Sequence, residues 1–190
     1  SVPTCQNGTT PPASIILGRV TGGNPSNIFG TIQTTGFGNA NLFLMNPAGI
    51  LFGPNASLNV GGSVSFTTAD YLRLADGAQF NAISGPQDAA ISSAPVAAFG
   101  FLGSNPGAIT VQGSRFTVSE GQAISLVGGN IEIKAASLED GTSKSARISA
   151  PSGQINIAGV ASPGEVLHSS LQFGPNIDGQ SFNNMGSVIL

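Results

Sequence analysis

Short runs in which apolar and polar residues alternate recur along this 190-residue chain, at residues 42–44, 58–60, 64–66, 109–111, 116–118, 124–126, 131–133 and 155–157. Alternation with period two puts the apolar side chains on one face of an extended strand. Each run is closed by Gly, Asn or Pro, residues that turn a chain. Helical periodicity is almost absent. The spacing constrains the fold further: Ile109 and Ile131 lie 22 residues apart, Ile131 and Ile155 lie 24 apart, and a second short strand falls between each pair. A unit of two or three strands repeating in the low twenties is a solenoid spacing. The phrases GAITVQG, GGNIEIKA and SGQINIAG share a Gly, spacer, Ile, polar, Val or Ile pattern. This predicts an all-β chain coiled as a parallel β-helix, in which each coil stacks on the last and inward apolar residues form ladders. A β-sandwich, which also has short strands and frequent turns, is the rival architecture.

Composition favours stacking. Charged residues make up 8 % of the chain, against about 25 % in an average soluble protein, and 27 residues are Gly. Small polar residues can ladder between coils about 4.8 Å apart, whereas stacked like charges repel. Residues 81–107, NAISGPQDAAISSAPVAAFGFLGSNPG, interrupt the rhythm and are expected to form an excursion packed on the flank of the helix, with PVAAFGFLG as an apolar plug. Residues 108–190 carry further coils. Both ends look cut, because the chain opens in a turn-like segment and stops in the apolar GSVIL, and solenoid ends need caps.

The first half of the chain holds little reactive chemistry. Arg19 is the sole charged residue before Asp70, and the net charge is −3, which excludes an electrostatic footprint for nucleic acid. Cys5 is the single cysteine and His168 the single histidine, so neither a disulfide within the chain nor a zinc site is expected. No apolar run is long enough for a membrane helix, and SVPTCQNGTTPP lacks the regions of a signal peptide. His168 in EVLHSS has no nucleophile elbow near it and reads as a structural or surface residue. Asp70, Arg73 and Asp76 in TADYLRLAD form the best cluster for polysaccharide cleavage, and the plainer reading of them is a salt-bridged turn. Glu139 and Asp140 before Gly141 read as a solvated loop. Tyr71 is read as an exposed ring able to stack on a sugar. No catalytic residue, metal ligand or cofactor is assigned.

The turns are more informative. Residues 41–66, NLFLMNPAGILFGPNASLNVGGSVSF, contain no ionisable side chain. In MNPAGI the Asn46 side chain can accept from a backbone N–H two residues on, Pro47 fixes φ near about −65°, and Gly49 can take φ > 0. The chain is expected to leave one strand, turn at Asn46, Pro47, Ala48 and Gly49, and re-enter at Ile50. FGPN occurs at Phe52, Gly53, Pro54 and Asn55 and again at 173–176, a second turn signal. The sequons at Asn7 and Asn55 are expected by chance in an Asn-rich chain.

The stretch VTGGNPSNIFGTIQTTGFGNANLFLMNPAGILFGPNASLNVGG resembles the N-terminal secretion domain of filamentous haemagglutinin-type exoproteins, the haemagglutination-activity domain of two-partner secretion. Similarity is strong over 15–74, the motif core, and continues in PVAAFGFLGSNPGAITVQGS, GQAISLVGGNI and GQINIAGVASPGE. The family's Asn-Pro-Asn-Gly-Ile motif falls on Asn46, Pro47, Ala48, Gly49 and Ile50, with Ala48 in place of Asn. Its other motif, Asn-Pro-Asn-Leu, has no counterpart in QNGTTPP at 6–12, and the amphipathic N-terminal cap is not found ahead of Ser1.

The resemblance implies one secretion domain over 1–190, folded as a right-handed parallel β-helix with an extra-helical excursion. It also implies export through the periplasm of a Gram-negative bacterium to the outside or the cell surface. The partner would be an outer-membrane β-barrel transporter that recognises the domain through its POTRA domains; the chain would be a monomer without an integral membrane segment. Residues 46–50 would be an address or a turn. The alternatives are an adhesive or carbohydrate-binding β-helix module and a polysaccharide-processing enzyme.

Overall fold

The computed structural model describes residues 13–86, 88, 91–168 and 181–190. Cys5, the sequon at Asn7, the segment 6–12 and the second FGPN at 173–176 lie outside the described residues. The chain is all-β. It enters through β1 (Ile15–Arg19), β2 (Ser26–Ile28) and β3 (Thr31–Gln33), and then runs through β4 (Asn41–Met45), β5 (Ile50–Phe52) and β6 (Ser57–Asn59). After β7 (Val64–Thr67) it makes β8 (Tyr71–Leu74), β9 (Gln79–Asn81) and β10 (Val96–Phe101) before returning to β11 (Ile109–Gln112) and β12 (Arg115–Thr117). β13 (Ile124–Gly128) and β14 (Ile131–Lys134) follow, then a small hairpin of β15 (Ala136–Ser137) and β16 (Ser143–Lys144), and β17 (Arg147–Ser149). β18 (Ile155–Gly159), β19 (Gly164–Leu167) and β20 (Val188–Ile189) complete the order.

Three sheets are wholly parallel, in the orders β1-β4-β7-β13-β18, β2-β5-β11-β14-β20 and β3-β6-β12-β17. The chain visits them in the same cyclic order on each pass, so successive passes stack as coils in a β-helix-like fold. Register follows the alternation read from sequence: Leu42 pairs with Val64 and Ile109 with Ile131. One spacing differs from expectation. Ile155 pairs with Ile124 in the first sheet, not with Ile131 in the second, because the β15–β16 hairpin lengthens that coil.

The three parallel sheets enclose a core. Phe66 of the first sheet, Phe52 of the second and Phe116 of the third meet edge-on or tilted, with ring centroids 4.7 Å (Phe52–Phe66), 4.9 Å (Phe52–Phe116) and 5.9 Å (Phe66–Phe116) apart. All three are fully buried, and each contributes roughly 2–3 kcal/mol through removal of its ring from water. The first sheet is covered on its other face as well. A four-stranded antiparallel sheet, β19-β10-β8-β9, lies against it, joining Phe43, Met45, Val127 and Ala158 to Leu72, Leu74, Phe99 and Val166 in a second core. Thus in NLFLM of β4, Leu42 and Leu44 face the inner core while Phe43 and Met45 face the outer one, which is why that strand carries almost no polar residue. The apolar phrase PVAAFGFLG supplies β10, one of the two inner strands of the antiparallel sheet, and is not a plug.

Candidate functional site: the corner at residues 46–50

The β4–β5 turn is the corner between the first and second parallel sheets. Asn46 is fully buried there. Its N–H donates to Thr67 O (3.0 Å) in the next coil, and its carbonyl accepts from Gly49 N (3.0 Å), closing the turn. Its side chain bonds in two directions: Oδ1 accepts from Ala48 N (3.0 Å), while Nδ2 donates to Asn24 O (3.1 Å) and to Ser26 Oγ (2.8 Å) in the preceding coil. One amide thus caps its own turn and ties it to the coil before. Gly49 has φ of +122°, a conformation that costs a side-chain-bearing residue energy. Its carbonyl accepts from Ser26 N (3.0 Å), and Ile50 N donates to Ala108 O (3.0 Å). Pro47 O accepts from Gly107 N (3.2 Å), which is close because Gly107 has no Cβ; one there would stand 2.5 Å from both Gly49 N and Pro47 O. Of the five motif residues Asn46, Gly49 and Ile50 are buried, leaving Pro47 and Ala48 partly exposed.

The second motif makes the next corner of the same coil. Ala56 N donates to Gly53 O (2.9 Å), Gly53 N donates to Ile28 O (2.9 Å), and Ser114 Oγ donates to Gly53 O (2.9 Å). The Phe29 ring lies over Gly53, where a Cβ would be 2.2 Å from Cδ1. Lys144 Nζ reaches Pro54 O, Phe52 is in the inner core and Asn55 is exposed.

A cleft of about 570 Å³ opens beside Pro47 and Ala48. Val20, Thr21, Gly22 and Gly23 between β1 and β2 line it with Pro47 and Ala48, and so do Asp70 before β8, Asn81, Ala82 and Ile83 at and after β9, and Leu102 after β10. Asp70 Oδ2 accepts from Leu102 N (2.7 Å), which fixes the carboxylate in place.

The sequence cluster of Asp70, Arg73 and Asp76 is not assembled. Arg73 pairs with Glu165, Nη2 to Oε2 at 2.7 Å with Nε between both oxygens; Asp76 caps Ala78 N (3.1 Å). Alternation explains it: on β8 Tyr71 and Arg73 share one face, and register places Glu165 across β10 from Tyr71. Tyr71 is not a free ring. Its hydroxyl donates to Glu165 Oε1 (2.9 Å), and burial, with that hydrogen bond second, pushes its pKa up to about 12. The Arg73 guanidinium holds the Glu165 carboxyl below the usual range. His168 is half-buried against the outer core, edge-on to Phe43 (5.5 Å) and Phe99 (5.7 Å), with Nδ1 3.1 Å from Val96 O; its partial burial lowers its pKa. Asp140 turns the β15–β16 hairpin by accepting from Thr142 N (2.9 Å). Asn24, Ser26, Thr67 and Gly107, which grip the corner, were not singled out from sequence; their signal is the coil register, which aligns Asn46 with Val20 and Thr68.

Among the described residues no group of three or more His, Cys, Asp or Glu could hold a metal ion, and no helix is long and apolar enough to cross a membrane. The fold and this hydrogen-bonded corner define a β-helix-like module whose notable surface is a turn and an apolar cleft. A family model described as TPS secretion domain matches residues 4–190, and the chain belongs to that family. It is a targeting domain of two-partner secretion, which implies a secreted exoprotein and a transporter partner. Comparison with curated proteins found no match, and comparison with solved structures found none.

Proposed function

We propose that the chain is the address of a two-partner-secretion exoprotein: the POTRA domains of an outer-membrane β-barrel transporter bind it in the periplasm of a Gram-negative cell, and it nucleates a right-handed parallel β-helix on the outside. The family match across residues 4–190 carries this reading. Two physical features support it. With 8 % charged residues the unfolded chain has few ion pairs to break while threading a pore, and the stacked parallel coils can template one another from one end. The corner at Asn46, Pro47, Ala48, Gly49 and Ile50, with the neighbouring corner at Phe52, Gly53, Pro54 and Asn55, is then the recognised element. Because Asn46 and Ile50 are buried in the fold, an unfolded chain offers the whole motif, and a folded one offers chiefly Pro47 and Ala48.

The test is secretion of a reporter fused after residue 190, with its native signal supplied, in cells with and without the cognate transporter. Transporter-dependent release is the expected result; equal release without the transporter would sink the reading.

A further inference from the structure

We propose that the exposed face of the third parallel sheet, β3-β6-β12-β17, binds an acidic polysaccharide, with Arg115 and Arg147 gripping one of its carboxylate or sulfate groups. The site goes beyond the secretion-targeting reading and stands or falls without it.

Period-two alternation turns Ile32, Leu58, Phe116 and Ile148 of these strands into the inner core, so their neighbours in sequence point outward. Register sets Arg115 beside Arg147 on one side and beside Ser57 on the other. Both arginines are exposed, and neighbouring strands lie about 4.8 Å apart. Like charges directly opposite one another on a sheet destabilise it, and the four strands contain no acidic residue to offset the repulsion.

The imbalance extends beyond the pair. Of the 6 Lys and Arg, Arg19, Arg73 and Lys134 pair with Asp88, Glu165 and Glu132. The other three are Arg115, Lys144 and Arg147, and among the described residues none of them has a carboxylate partner. Lys144 sits at the corner that leads into this sheet, where its Nζ reaches Pro54 O. A chain of net charge −3 thus gathers its unpaired cations on one face. Two guanidinium forks side by side present parallel N–H donors that match the oxygens of a carboxylate or a sulfate.

The rest of the face selects a glycan. Thr31 Oγ1 and Ser57 Oγ lie 2.8 Å apart, and Asn59, Thr117 and Ser149 continue the outward polar columns. These hydroxyls and this amide can both donate to and accept from sugar hydroxyls. Nucleic acid would need cations along its backbone and aromatic rings for its bases, and the outward positions of these strands hold no ring. An anionic membrane would need about four or more clustered cations, or an apolar face. A secreted exoprotein meets acidic polysaccharides at cell surfaces.

The experiment measures binding of the folded 190-residue chain, by fluorescence anisotropy, to labelled oligosaccharides of alginate, which carry carboxylates only, and of dextran sulfate, which carry sulfates only. Neutral dextran, a DNA duplex and phosphatidylserine vesicles are the comparisons. The variants are Arg147→Gln alone and together with Arg115→Gln. Lys134→Gln, on the second sheet, removes the same charge as Arg147→Gln and is the control. Circular dichroism verifies that each is folded. Wild-type binding to at least one acidic glycan is expected, weakened about tenfold or more in the double variant and unchanged in Lys134→Gln; the preferred probe tells carboxylate from sulfate. No wild-type binding to either acidic glycan, equal binding of neutral dextran, binding retained by the double variant, or an equal loss in Lys134→Gln would each overturn the site. Tighter binding of DNA or of the vesicles assigns the patch to another class of partner and overturns the proposal as well.

Discussion

The ring of Tyr71 crosses Gly100 to bring its hydroxyl 2.9 Å from Glu165, 94 residues further along the chain. Register puts Gly100 opposite both residues, Tyr71 on β8 and Glu165 on β19, and a Cβ on Gly100 would stand 2.0 Å from Tyr71 Cζ. The missing side chain is the channel through which the phenol reaches the carboxylate.

Tyr71 is the only tyrosine and there is no tryptophan, so ultraviolet titration reads this one group. Its ionisation midpoint is expected at about 12 instead of 10.0. Because the folded value is raised, the phenol's contribution to stability is complete below 10.0 and is lost as pH climbs toward about 12. Gly100→Ala should displace the ring and return the midpoint toward the ordinary value. A wild-type midpoint at 10.0 would refute the geometry.

His168 is likewise the only histidine, and its folded pKa lies below 6.5 through burial between Phe43 and Phe99. The sign is opposite to that for a histidine with an acidic partner: the neutral ring stabilises the fold above 6.5, and the contribution disappears as pH falls from there through the folded value. NMR titration of its single Cε1 proton should show the lowered midpoint. His168→Phe should remove the part of the acid sensitivity that lies just below 6.5.

Asn46→Ala removes the partners of Ala48 N, Asn24 O and Ser26 Oγ together. Unpaired buried polar groups predict a loss of about 2–3 kcal/mol in urea denaturation. Asn46→Asp keeps the acceptor for Ala48 N but sets a buried carboxylate against Asn24 O, so it should cost more than Asn46→Ala. Near-wild-type stability in both would mean that the corner is not held by this amide.

Gly107→Ala forces a methyl to within 2.5 Å of Pro47 O and Gly49 N. Overpacking against backbone should destabilise by about 1–3 kcal/mol and shift amide exchange at Gly49 and Ile50. Gly30→Ala, where a Cβ meets nothing within 4 Å, should change stability by less than about 0.5 kcal/mol.

Local pattern was legible and pairing over distance was not. The alternating runs at 42–44, 64–66, 109–111 and 124–126 all lie in strands, because period-two alternation is a property of the strand alone. The Ile109–Ile131 register was visible since no insertion separates those strands beyond one coil. The 24-residue spacing from Ile131 to Ile155 is not a coil repeat, because the β15–β16 hairpin changes the coil length without changing the pattern, and Ile155 pairs with Ile124. The antiparallel sheet is not legible for a related reason: sequence proximity groups Arg73 with Asp70 and Asp76, whereas its partner Glu165 is set by β10 pairing with β8 on one side and β19 on the other. At residues 46–50 the turn residues announce a corner, but Ser26, Thr67 and Gly107 become part of it only through stacking.

The pairing of β19 with β10 also sets an order of events. A chain that emerges from its N-terminus presents β8, β9 and β10 long before Gly164–Leu167 is available, so the flank of β10 stays open while the inner coils are already stacking. Closure of that flank, with Glu165 arriving at Arg73 and Tyr71, is therefore a late event, and it reports that five strands of the first sheet have passed.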